Sequence, residues 1–211
     1  MRGRNGLAAI LAGIALAGIA ACGAGGHAPV FRPAGAPPAA QADTAGAAIA
    51  TAPGGYRFPA GVSIQFSSPA PASPARQAIV TGYQNYVLAL WAAALSHGRD
   101  AAYQRLASGN ARAFVRREIS FFGRHHLGIH GTIRYSATTV SADYFGKGAT
   151  VTSCVDASAF RLTGPKAGPV FPPRFARFLE NVAEGRRPDG TWYVANTESY
   201  PASTSQGAMC R

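Results

Sequence analysis

Residues 73–95 read Ser73-Pro-Ala-Arg-Gln-Ala-Ile-Val-Thr-Gly-Tyr-Gln-Asn-Tyr-Val-Leu-Ala-Leu-Trp-Ala-Ala-Ala-Leu95. Serine before proline is a strong helix start, because the hydroxyl accepts from a free amide and proline has no amide to waste in the first turn. Ile79, Tyr83, Tyr86, Val87, Leu90, Trp91, Ala94 and Leu95 then recur at intervals of three and four, the spacing of an amphipathic helix. Gly98 ends it. Downstream, Asp100 is placed to cap a short helix carrying Tyr103 and Leu106. Asn110 is placed to cap a third helix with Phe114, Val115, Ile119 and Phe122 on one side and Arg116, Arg117 and Arg124 on its wetter sides.

From Gly128 the period changes from helix to strand. Thr132–Ala142 and Ala149–Phe160 are rich in Thr, Ile, Tyr and Val and predict two strands joined by a turn at Asp143–Gly148. Lys166–Pro173 is a proline- and glycine-rich loop. Phe175–Arg186 and Thr191–Tyr200 predict a hairpin around Pro188-Asp189-Gly190, a strong turn signal. Helices first and strands after predict an α+β fold, with N-terminal helices packed on one face of a curved antiparallel sheet.

Upstream of Ser73 the character is different. Prolines at 29, 33, 37, 38, 53, 59, 69 and 71 oppose long helices in an Ala-, Pro- and Gly-rich stretch with few charges. We read 22–72 as a tether and 73–211 as the folded domain. Within the tether, Gly61-Val-Ser-Ile-Gln-Phe66 alternates apolar and polar residues, so a short edge strand or docking segment fits there.

At the start, Arg2 and Arg4 precede an apolar run from Leu7 to Ala21, which ends Ile19-Ala20-Ala21-Cys22. The run is too short to span a bilayer, which takes about 20 residues, and suits the apolar core of a signal peptide over 1–21. Its ending resembles the lipobox of bacterial lipoproteins. The resemblance implies that Cys22 takes a diacylglyceryl group and acyl chains of the palmitate kind, and that the leader is cut before it. The alternative is an ordinary signal peptide with Cys22 left as a free thiol. Arg2 and Arg4 are not adjacent, which favours the general secretion route over the twin-arginine one.

The cysteines are Cys22, Cys154 and Cys210. An odd count in an exported chain leaves one thiol to explain. If lipid takes Cys22, oxidising surroundings predict a Cys154–Cys210 disulfide that stabilises by about 4 kcal/mol on the chain-entropy view. Two buried free thiols are the alternative.

The net charge is +11, and from residue 72 onward 16 Lys and Arg face 8 Asp and Glu, a net of +8. Such a domain attracts anions: acidic headgroups, cell-wall polymers or a small anionic ligand. Export argues against nucleic acid as partner. The charges are scattered, so plain solubility explains them equally well.

The long helix, two short helices and four strands ending in Asp189-Gly-Thr-Trp-Tyr-Val194 resemble the nuclear-transport-factor-two-like superfamily, the cone-shaped fold of ketosteroid isomerases and polyketide cyclases. The Thr152-Ser-Cys-Val-Asp-Ala-Ser158 and Gly190-Thr-Trp-Tyr-Val-Ala-Asn-Thr-Glu198 strands and the terminal cysteine further resemble lipoproteins of GC-rich Gram-positive bacteria. The resemblance covers about residues 74–211. It implies a cone that hosts an enzyme site, a ligand or a partner, and sheets that often pair into dimers. No catalytic set of the superfamily matches these residues.

Asp156 shares a strand face with Cys154. Lining the cone, it would be a general base with a raised pKa; at a strand end, it would bond backbone amides or an arginine. Tyr83, Tyr86, Trp91, Tyr135 and Trp192 either line an apolar pocket or simply fill the core. His126 and His130 have metal-ligand spacing on a helix, but Gly128 and Gly131 oppose a helix there, so no metal is expected around His125, His126 and His130. No Gly-x-Ser-x-Gly elbow, phosphate loop, dinucleotide fingerprint, Cys-x-x-Cys or His-Glu-x-x-His occurs. No cofactor is expected. The reading is a membrane-anchored extracytoplasmic lipoprotein that binds a hydrophobic or anionic ligand, an envelope protein or its own copy. The alternative is an isomerase- or cyclase-like enzyme using Asp156 on a hydrophobic substrate.

Overall fold

The computed structural model describes residues 55–56, 58–71, 73–143, 146–165 and 168–211, all within one unit, Ala47–Arg211. The leader and Cys22 lie outside the described residues. Strand β1 is Val62–Ser67. Helices α1 (Pro74–Leu95), α2 (Tyr103–Leu106) and α3 (Gly109–Arg124) follow. The remaining strands are β2 (Gly128–Ala142), β3 (Gly148–Thr163), β4 (Gly168–Pro169), β5 (Arg177–Arg186) and β6 (Trp192–Pro201). A last short 3-10 turn spans Ala208–Cys210. The α+β class expected from the sequence is the observed one.

The sheet runs β1-β2-β3-β5-β6, with β4 on β3. The ladders from β2 onward are antiparallel, but β1 pairs with β2 in parallel, Val62 opposite Gly131 and Ser67 opposite Ser136. The sheet is therefore mixed, not wholly antiparallel. The reason is connectivity: β1 reaches β2 through three helices, and only such a crossover lets consecutive strands run the same way. The edge-strand option for 61–66 is thus the one adopted, and the ordered fold reaches upstream of the boundary drawn at residue 73.

Helix α1 begins as its sequence dictates. Ser73 Oγ accepts from the Arg76 amide at 3.3 Å and Pro74 occupies the first turn. Its burial is wider than one stripe, since every residue from Tyr86 to Ala94 is buried. The helix packs on β2, β3, β5 and β6 on one side and on α2 and α3 on the other, so all of its surface in that stretch meets protein. Ala89, Ala92, Ala93 and Ala94 permit that close approach. By length and composition α1 could cross a membrane, but two thirds of its most apolar stretch is buried in the fold.

Two helix starts differ from expectation. Asp100 accepts from the Ala102 amide at 2.9 Å, one residue before α2 opens, and Ser108 rather than Asn110 stands at the head of α3. The Ser108 amide bonds Val194 O at 2.8 Å, so the tie between β6 and α3 sets the start, not a side-chain cap. At the β5–β6 turn, Gly190 has φ +86° and Asp189 Oδ1 accepts from the Thr191 amide and hydroxyl, the local geometry that Pro-Asp-Gly announces. Cys154 on β3 and Cys210 form a disulfide with Cα atoms 5.2 Å apart, which fastens the C-terminal turn to the outer face of the sheet.

Candidate functional site

Strand alternation sorts the residues of β3 and β5 between two faces. On β3, Val151, Ser153, Val155 and Ala157 are buried against the helices, while Cys154 and Asp156 point the other way. On β5, Phe178, Glu180, Val182 and Glu184 share the inward parity. Two carboxylic acids therefore enter the core face.

Glu180 is the better partnered. Tyr83 Oη donates to its Oε2 at 2.5 Å, and Thr197 Oγ1 donates to its Oε1 at 3.4 Å. Burial pushes its pKa up, and these two donors oppose the rise without cancelling it. Burial, reinforced by the neighbouring negative charge, holds the Tyr83, Tyr86 and Tyr135 hydroxyls above the usual phenol range. Tyr135 accepts from Trp91 Nε1 at 3.3 Å and its ring meets Tyr83 edge-on, with centroids 6.1 Å apart. A short polar seam thus crosses an aromatic interior: Thr197, Glu180, Tyr83, Tyr135, Trp91.

Glu184 is the more extreme. It is 4 % exposed, both carboxyl oxygens lack a hydrogen-bond partner, and burial alone raises its pKa from 4.5 to about 8. Burial in the low-dielectric seam around it favours the protonated form. Gly82 explains how that seam closes. A Cβ there would fall 2.6 Å from Trp192 Cβ and 3.3 Å from Glu184 Oε2, so only glycine lets α1 lie this close to β6.

The five aromatic pocket candidates, Tyr83, Tyr86, Trp91, Tyr135 and Trp192, come together here, at 0–8 % exposure. They are core residues packed with Phe66, Phe160 and Val155, not the wall of an open cleft. Trp91 packs edge-on to Phe160 at 4.9 Å, and Phe66 stacks on Tyr135 at 5.2 Å.

Asp156 requires correction as the general base. It faces outward with a side chain 31 % exposed and pairs with Arg177 Nε at 3.2 Å. It accepts from the Ser158 amide at 3.0 Å and the Ser158 hydroxyl at 2.6 Å. Partial burial pushes its pKa up, but the Ser158 hydrogen bonds and the Arg177 charge outweigh this and hold it below the usual value. A stabilised carboxylate of this kind is a weak base. Nearby, Cys154, Asp156, Arg177, Met209, Cys210 and Arg211 line an outer depression of about 260 Å³.

The histidines separate onto different elements. His125 ends α3 with its ring edge-on to Phe121, His126 is exposed at φ +49°, and His130 lies exposed on β2. Leu127 is buried between the two elements, so the 126–130 spacing never becomes one helical face.

Glu180 and Glu184 are the site residues that our reading of the sequence passed over. Their signal was present. In Phe178-Leu-Glu-Asn-Val-Ala-Glu184 the acids share parity with Phe178 and Val182, the apolar residues of the inward face. Chemically, the Glu180–Tyr83 pair can hold or pass a proton, and Glu184 can donate one.

No protein-family model and no curated protein sequence matches this chain. Among solved structures it is similar to the intermembrane space region of the chloroplast protein ARC6, at 12 % identity and TM-score 0.45, over 62 % of this chain and 99 % of that one. It is also similar to a protein designated a ketosteroid isomerase from Shewanella frigidimarina, at 14 % identity and TM-score 0.35, over 60 % and 97 %. A protein designated a polyketide cyclase from Xanthomonas campestris follows at 15 % identity and TM-score 0.32, over 60 % and 91 %.

Proposed function

We propose that this chain is a lipid-anchored extracytoplasmic protein whose domain works by binding at the cell envelope rather than by catalysis. The observation that carries the binding half is the packed interior: the aromatics that would have lined a substrate cleft fill it themselves. The anchor half rests on the leader and its terminal Cys22. The Cys154–Cys210 disulfide supports it, since such bonds persist in oxidising compartments and this one accounts for the two other sulfurs. The partner is a hydrophobic or anionic ligand, an envelope protein or a second copy, met on the outside of the fold.

Intact protein from the host membrane fraction tests the anchor. The expected N-terminal fragment begins at Cys22 and carries the mass of a diacylglyceryl group, and Cys22→Ser releases the chain into the soluble fraction. A fragment starting at Met1, or one without lipid mass, overturns the anchor. Native mass spectrometry of the same preparation tests binding: a bare monomer overturns that half.

A second reading has one specific observation behind it, the Tyr83–Glu180 hydrogen bond inside the aromatic seam. Such a pair suits acid–base chemistry on a hydrophobic substrate, with Glu180 in the place first given to Asp156. An isomerase or cyclase activity abolished by Glu180→Gln, with the fold intact, would establish this reading over the first.

A further inference from the structure

Basic residues are spread over both halves of this domain, but its exposed acids are not. From residue 96 to 127 the chain carries Arg99, Arg105, Arg112, Arg116, Arg117 and Arg124 against two acids, Asp100 and Glu118. Neither acid is fully exposed: Asp100 accepts from the Ala102 amide, and Glu118 is largely buried. The exposed acids among the described residues, Asp143, Asp189 and Glu198, all belong to the strand half. The ion pair between Arg177 and Asp156 belongs to that half too. Among the described residues, no carboxylate forms a close ion pair with an arginine of the helical half, although the Arg117 charge acts on Glu118.

Helix α3 orders these charges. Its exposed positions are Gly109, Asn110, Ala113, Arg116, Arg117, Ser120 and Arg124. Positions 113, 117, 120 and 124 follow helical spacing, and Arg116 flanks the row. Small Ser120 lies between Arg117 and Arg124 on a helix about 24 Å long. Arg99 and Arg105, in the segments that lead into α3, are exposed as well. A row of exposed arginines along one helix matches an extended plane of negative charge better than a compact anion, which would need converging donors.

We infer that the arginine face of α3, with Arg99 and Arg105, lays the domain onto the anionic lipid headgroups of a bilayer. The inference rests on the anchor reading for which membrane is met, but not for the chemistry of contact. Each arginine at an anionic surface strengthens binding by about fivefold. Five of them give weak binding to a free domain, and a tether that holds the domain at a millimolar effective concentration makes such a contact well occupied. The anchor supplies residence and the arginines supply orientation.

The test uses the mature chain, residues 22–211 carrying Cys22→Ser, so that neither lipid nor leader contributes, and vesicles containing about one third phosphatidylglycerol or none. Expected are co-sedimentation with the anionic vesicles at 50 mM salt, loss of binding at 300 mM, and no binding to neutral vesicles. Arg116→Glu, Arg117→Glu and Arg124→Glu together lower anionic-vesicle binding by at least tenfold with an unchanged circular-dichroism spectrum and Tm. The matched strand-side set, Lys147→Glu, Arg161→Glu and Arg186→Glu, changes it by less than threefold. Three results overturn the inference: no binding to anionic vesicles, equal loss from both triple variants, or tighter binding to soluble polyglutamate than to vesicles. The anchor proposal fails separately, through the absence of lipid mass at Cys22.

Discussion

The two faces of one sheet treat the same functional group in opposite ways. On the inner face, Glu184 has no hydrogen-bond partner and its pKa is raised to about 8. On the outer face, Asp156 has Ser158 and Arg177, and its pKa is lowered. Both acids sit on adjacent strands of the same ladder, β5 and β3. Residue type therefore says little about proton affinity here. Desolvation rules inside, and hydrogen bonds with a partner charge rule outside.

The largest effect that would sharpen this contrast is a pH dependence of stability. Glu184 binds its proton more tightly in the folded than in the unfolded chain. Its contribution is fully present below the unfolded value near 4.5 and is lost as pH rises toward about 8, with a slope of at most about 1.4 kcal/mol per pH unit. Glu180, raised in the same direction, adds to it. Urea titrations between pH 4.5 and 8.5 should show falling stability, and Glu184→Gln should flatten the curve. A wild-type curve that is already flat would break the contrast.

Next in size is the disulfide on the outer face. Cys154→Ala with Cys210→Ala should lower stability by about 4 kcal/mol, read as a shift in the urea midpoint with little change in slope. Tyr83→Phe comes third. It removes the donor to a buried carboxyl and should cost about 1–3 kcal/mol, while raising the Glu180 pKa further. Asp156→Asn is the smallest, below about 1 kcal/mol, because the pair with Arg177 is exposed to solvent. If Asp156→Asn cost as much as Tyr83→Phe, the division between the faces would fail.

The gross fold was legible because its signals are local. Ser73-Pro74 caps α1, Pro188-Asp189-Gly190 turns the last hairpin, and alternation marks β3 and β5, each within a few residues. Boundaries set by distant contacts were harder to read. The head of α3 is fixed by Val194 O, far along the chain, and not by the capping residue nearest to it. The candidate site was half legible: the aromatics could be named, with pocket wall and core filling both open to them, since openness depends on how closely α1 lies on β6. Glu180 and Glu184 carried a parity signal, but it became informative only once the inward face of β5 was known.

By itself the sequence determined the order of helices before strands, the basic balance of the domain and the pairing open to two cysteines. These depend on composition, spacing and local backbone preference. Only the tertiary structure decided that β1 joins the sheet in parallel, that Asp156 faces solvent and that two glutamates face the core. Those outcomes depend on which surfaces are withdrawn from water together, and that is a property of the packed chain, not of any segment within it.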